Sequence, residues 1–326
     1  MKVKSFVTLL LVFAWLAPVM AQYDLEAKER ERMSKARVKV QTQWTHDFVD
    51  GKPSAKGYKS SVTKFNTKGN ITEVTNYNEE GKIISLIVYQ YDSNRGNKVN
   101  FERYQGNREK LQYSQKLVYN AKGNKIKEYG YDGATVYSNT YQYDANDKLS
   151  EIAYTVDNAL VEKRKLKYAG NKTEIMIYDP SNNLTFRQEN SYNDKGLLTA
   201  EIKTGGKGNV VHTLDLQYNT SGGLTEEIKK RAGDKLDYQK LYYYDKENRP
   251  IKEEIINLDD TKFVSHEYQY DNLGNLILET WRKNEKAKEA SSKKIIYDSR
   301  GLYTEMECYY ATYKLKSLYK YTYELY

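Results

Sequence analysis

Tyr270-Asp271-Asn272-Leu273-Gly274-Asn275-Leu276 decides how this chain is read, because the phrase returns along its whole length. Copies stand at Tyr119-Asn120-Ala121-Lys122-Gly123-Asn124, Tyr192-Asn193-Asp194-Lys195-Gly196-Leu197 and Tyr297-Asp298-Ser299-Arg300-Gly301-Leu302. In each, the Asp or Asn after the tyrosine can accept a backbone N–H two residues on. The Gly supplies a positive φ at little steric cost, and together they have the chemistry of a hairpin turn. Asp147 and Asn183 stand in for Gly in two copies, both residue types that tolerate that region better than most.

Working outward, the aromatic anchors Phe65, Tyr91, Tyr119, Tyr143, Tyr168, Tyr192, Tyr218, Tyr244, Tyr270 and Tyr297 recur about every 26 residues, a period typical of stacked supersecondary units. An ascending strand ends in apolar-x-Tyr, as in Tyr89-Gln90-Tyr91 and Leu117-Val118-Tyr119. A descending strand opens on an apolar residue such as Leu149, Leu198, Leu224 or Leu276. A second, variable turn, such as Gln105-Gly106-Asn107 or Ala232-Gly233-Asp234, falls midway through the unit. Short turns at both ends force antiparallel neighbours. The expected fold is therefore all-β: an antiparallel meander of about twenty strands in hairpin repeats, filling residues 38–326 as a single domain. Sheets twist, so the meander is expected to form one curved or superhelical sheet with its tyrosine face concave. A flat single-layer sheet is the rival arrangement, and the repeat leaves closure open.

The composition suits such a sheet better than a conventional core. Of 326 residues 39% are hydrophobic, mean hydropathy is -0.86, and 33 tyrosines stand against 7 Phe and 3 Trp. A phenol packs its ring while leaving its hydroxyl in water. The net charge of +8 is dispersed among 44 acidic residues, which argues against a nucleic-acid partner. Residues 1–21 read as a secretory signal: Lys2 and Lys4 precede the apolar run Phe6 to Leu16, and Val19 and Ala21 mark a cleavage site before Gln22. No cysteine lies near the cut for a lipoprotein anchor, and no transmembrane segment is expected after cleavage. The mature protein is expected to be soluble and secreted or periplasmic. Cys308 is the only cysteine, so no intrachain disulfide can form. Residues 22–37 read as a short helix with Asp24 as N-cap and Leu25, Met33 and Ala36 as its apolar stripe. It is expected to cover the first edge of the sheet, which opens with Val38, Val40, Thr42, Trp44, His46 and Phe48 on one face.

Repeated Tyr-x-Tyr-Asp-x-x-Gly-Asn, as at Tyr268 to Asn275 and, with one residue inserted, Tyr89 to Asn97, resembles the YD repeat of RHS-family proteins. The resemblance covers most of the chain from Phe65 onward. In that family, strand repeats spiral into a shell that encloses a toxin or forms an extracellular scaffold. For this chain the resemblance implies a secreted, curved β-repeat sheet with a recognition role.

Chemical motifs are sparse. His46, His212 and His266 are far apart and differ in repeat phase, Thr204-Gly205-Gly206-Lys207-Gly208 has turn glycines rather than phosphate-loop spacing, and no Ser/His/Asp or Cys/His set has a signature. No cofactor, metal or enzymatic activity is expected. Stacking the repeats instead superimposes tyrosines, giving a candidate partner-binding face. One row is Tyr91, Tyr119, Tyr143, Tyr168, Tyr192, Tyr218, Tyr244, Tyr270 and Tyr297; Tyr89, Tyr141, Tyr242 and Tyr268 lie two residues before their neighbours on the same face. The expected function is a non-enzymatic extracytoplasmic scaffold or binding module that presents this face to a cell-surface glycan or a protein. A shell or companion of a secreted RHS-like toxin and a carbohydrate-active enzyme using paired carboxylates are the alternatives.

Overall fold

The computed structural model describes residues 25–326; the signal-peptide reading of residues 1–21 and the Asp24 cap lie outside these residues. A helix, Leu25–Lys35, is followed by 23 strands that make one sheet. From Tyr58–Phe65 to Leu315–Leu325 each strand pairs antiparallel with the next. The two-residue strand Lys52–Pro53 is a spur on Val38–Val49. The remaining 22 strands close into a barrel, because Val38–Val49 pairs on one side with Tyr58–Phe65 and on the other with the last strand. That seam runs from Val38 opposite Leu325 to Asp47 opposite Ser317.

Closure corrects the open curved or superhelical sheet expected from the repeat. The physical reason is edge chemistry. An open meander leaves two rows of unpaired N–H and C=O groups, whereas a ring whose accumulated coil brings its ends together leaves none. The helix accordingly covers no sheet edge. Its Met33 instead packs with Val38, Phe65 and Leu302 beside the seam. Its Glu29 accepts a hydrogen bond from the Tyr303 hydroxyl at 2.8 Å. Arg32 lies over the rings of Tyr297 and Tyr303, at 5.1 and 5.2 Å.

The repeat phrase builds its turn with its own side chain. Asp271 Oδ1 accepts the N–H groups of Leu273 and Asn275 at 2.9 and 2.8 Å, and Gly274 takes φ +83°. Asn120, Asn193 and Asp298 repeat the arrangement. Burial opposes ionisation of Asp271, but bonds from Asn275, Leu273 and Gly274 outweigh it and hold its carboxyl below the usual range. Asp147 occupies the Gly position at φ +60°. In the Asp179 turn that position falls to Asn182, at φ +64°, one residue before the Asn183 expected there.

Register through the bulges separates the two faces of the wall. Tyr89, Phe101, Gln115 and Gly130 lie opposite one another in turn across four strands, and the tyrosine rows lie on that face. Side chains on the concave side of a closed wall crowd together, and this face carries buried Ile152, Leu166, Ile175, Ile177, Leu216 and Ile295. Ile84, Val118, Ile202 and Ile296, on the opposite face, are exposed. The tyrosine face is therefore the inner wall. The outer wall carries ion pairs on successive strands, among them Lys64–Glu73 at 2.8 Å, Arg187–Glu174 at 3.1 Å and Lys320–Glu305 at 3.5 Å. Glu151, opposite Lys165 in register, pairs with Lys163 at 4.0 Å.

Candidate binding cleft on the inner wall

The main tyrosine row is occupied with holding the barrel together. The hydroxyl of Tyr91 donates to the Ile71 carbonyl at 2.9 Å, Tyr119 to Lys98 at 3.2 Å, Tyr143 to Lys125 at 2.7 Å and Tyr168 to Leu149 at 2.9 Å. Tyr218, Tyr244, Tyr270 and Tyr297 continue the series onto Leu198, Leu224, Pro250 and Leu276 at 2.7 to 2.9 Å. Each bond ties the end of one strand to the carbonyl just after the preceding turn, so consecutive hairpins are stapled at one end of the barrel. Burial pushes the Tyr218 phenol up to about 12. Tyr192 departs from the series, packing on the Leu198, Leu216 and Leu224 cluster.

The second row meets polar partners on the wall. Tyr141 donates to Glu128 at 3.2 Å and Tyr242 to Glu227 at 3.2 Å, while Tyr268 stacks on His266 with ring centres 6.0 Å apart. Inner carboxylates recur at the repeat spacing, and each has a neighbour. Glu201 meets His212 at 2.8 Å, Glu227 accepts from Tyr238 at 2.5 Å, Glu253 lies 3.8 Å from His266, and Glu279 pairs with Lys293 at 2.5 Å.

One part of the inner wall is different. Between the strands Ile83–Tyr91 and Leu149–Val156 lies a cavity of about 570 Å³. Its aromatic side is continuous: Tyr89 meets Phe101 edge-on at 5.1 Å, Phe101 meets Tyr113 at 5.4 Å, and Tyr113 meets Tyr137 at 6.4 Å. Tyr154, Arg103, Lys98, Gln115, Glu128 and Asn139 complete much of the lining. The Tyr113 and Tyr137 hydroxyls are 3.0 Å apart. One donates to the other, so one phenolic proton is left over. Burial raises both phenols and keeps them protonated at neutral pH. Asn139 is 2% exposed, and its Oδ1 has no hydrogen-bond partner among the described residues. A buried amide oxygen left without a donor costs about 1–3 kcal/mol, so this acceptor is suited to a ligand's O–H.

Of the expected face, only Tyr89 lines this cleft. Phe101, Tyr113, Tyr137, Tyr154 and Asn139 lie outside the two tyrosine rows. Register alone could have found them: Tyr89 faces Phe101, Arg103 faces Tyr113, Gly130 faces Tyr137, and Asn139 faces Tyr154.

No protein-family model and no characterised protein matches this chain. Several solved structures are similar to it. One is TcdB2-TccC3, at 12% identity over 85% of this chain and 19% of that one, with a TM-score of 0.30. This chain thus spans about a fifth of that protein's length. Two others are described as porin-like proteins. The one from Bacteroides uniformis is 13% identical over 88% of this chain and 98% of that one, with a TM-score of 0.30. The one from Bacteroides vulgatus is 14% identical over the same shares, with a TM-score of 0.21. Among the described residues, no helix is long and apolar enough to cross a membrane.

Proposed function

We propose that the protein is a non-enzymatic, extracytoplasmic binding module, a β-barrel that holds a glycan against its inner aromatic cleft. The single observation that carries this reading is the cleft's polar account. A leftover phenolic proton at the Tyr113–Tyr137 pair and an unpartnered acceptor at Asn139 stand beside a run of aromatic rings. A sugar hydroxyl both donates and accepts, and the C–H face of a pyranose lies flat on an aromatic ring, so one residue of sugar answers all three features.

A water-facing rather than lipid-facing barrel fits the outer wall. Membrane barrels present an apolar band about 25 Å tall, and a Lys or Arg at its centre costs about 2–4 kcal/mol. Here Lys64, Arg187 and Lys320 are ion-paired on the outer face with Glu73, Glu174 and Glu305.

A glycan array probed with the full chain tests the reading, alongside Tyr113→Ala and Asn139→Leu. Retention of defined oligosaccharides by the parent protein, lost in both variants while each keeps the native circular-dichroism spectrum, is the expected result. An array on which the folded parent retains nothing would overturn the proposal.

A further inference from the structure

We propose that the glycan taken by the inner cleft is an acidic one, its carboxylate held by Arg103 with Lys98 beside it. This deepens the preceding reading and rests on it. The charged groups around the cavity differ in what already holds them. Glu128 has both oxygens engaged: Gln115 Nε2 donates to one at 2.9 Å, and Lys125 Nζ and the Tyr141 hydroxyl reach the other at 2.8 and 3.2 Å. Asp132 Oδ1 is held by the N–H groups of Ala134 and Thr135 at 3.0 and 2.8 Å, and Oδ2 by the Thr135 hydroxyl at 3.1 Å. Both acids of the lining are thus committed within the wall.

The cations of the lining have no carboxylate partner among the described residues. Arg103 has no ion pair or hydrogen bond among the described residues; it is exposed and lines the cavity. Lys98 Nζ lies 5.5 Å from the centre of the Tyr89 ring and has no carboxylate partner among the described residues. The cleft therefore presents two positive charges without a carboxylate partner among the described residues, and no uncommitted negative one. A guanidinium fork matches a carboxylate in two parallel N–H···O bonds. Arg103 lies directly across the strand pair from Tyr113, so an acid group on a sugar stacked over Tyr113 falls within the reach of that fork.

Titration calorimetry of the full chain with uronate-containing oligosaccharides, and with the same oligosaccharides after reduction of their carboxyl groups to alcohols, tests this. The acidic set should bind roughly tenfold tighter or better, the ratio expected for a charge-assisted pair. Arg103→Gln should abolish that ratio, the acidic set losing roughly tenfold more affinity than the reduced set. Equal affinity for the two sets, or a preference that survives Arg103→Gln, would overturn the acidic assignment while glycan binding itself stood. Tighter binding of sulfated than of carboxylated oligosaccharides would overturn the carboxylate assignment. Failure of both sets to bind would overturn this inference and the reading beneath it together.

Discussion

Gly69 and Gly274 hold the same position of the same turn, at φ +76° and +83°, yet alanine should affect them very differently. The backbone cost is common to both, about 1–2 kcal/mol for an L-residue in the left-handed region. At Gly274 a Cβ would meet Arg249 Nη1 at 3.3 Å, the far end of a flexible side chain that can move aside. At Gly69 it would lie 2.0 Å from the Arg30 carbonyl oxygen and 2.9 Å from the Ser34 nitrogen, both helix backbone. The helix must then shift. Met33, 1% exposed between Val38, Phe65 and Leu302, would lose its seat. Releasing such a side chain costs about 1.5–3 kcal/mol. Gly69→Ala is therefore expected to cost about 2.5–5 kcal/mol, against about 1–2 kcal/mol for Gly274→Ala. Urea denaturation of the two variants measures the difference. Limited trypsin digestion reads its cause, since an undocked helix offers Arg30, Arg32 and Lys35. Equal destabilisation of the two variants, or a helix no more readily cut in Gly69→Ala than in the parent, would refute the reasoning.

Tyr218→Phe should lower stability by about 0.5–1.5 kcal/mol, through loss of its bond to the Leu198 carbonyl, and leave oligosaccharide affinity unchanged. Affinity lost at unchanged urea midpoint would return the main row from staple to recognition surface. Acid should weaken the barrel through Glu254, where burial opposes ionisation but bonds from Tyr243, Lys262 and Lys252 outweigh it and push the carboxyl down to about 2. Because the folded value lies below the unfolded one, this stabilisation is complete above about pH 5 and disappears as pH falls through about 2. Glu254→Gln should lower the urea midpoint at neutral pH and flatten its fall across that window, and a parallel pH profile in the variant would count against the assignment.

By itself the sequence determined the hairpins. Their turns are made by side chains bonding to backbone two to four residues away, as Asp271 does, and such chemistry is written wherever the phrase is written. Its one slip was equally local: Asn182 rather than Asn183 stands three residues after Asp179 and takes the positive φ. Alternation also placed the tyrosines on a common face, but not what their hydroxyls do. Each staple joins residues about twenty positions apart across a bulge, and the extra residue at the bulge sets whether the phenol reaches a carbonyl or a ligand. Closure was decided only in three dimensions. A repeat specifies how each strand meets the next, while the meeting of Val38–Val49 with Leu315–Leu325 depends on coil and stagger summed around the whole wall. The cleft has the same origin. Tyr89, Phe101, Tyr113, Tyr137 and Asn139 belong to four different strands and share no motif, and the bulge-shifted registers bring them to one patch of the inner wall.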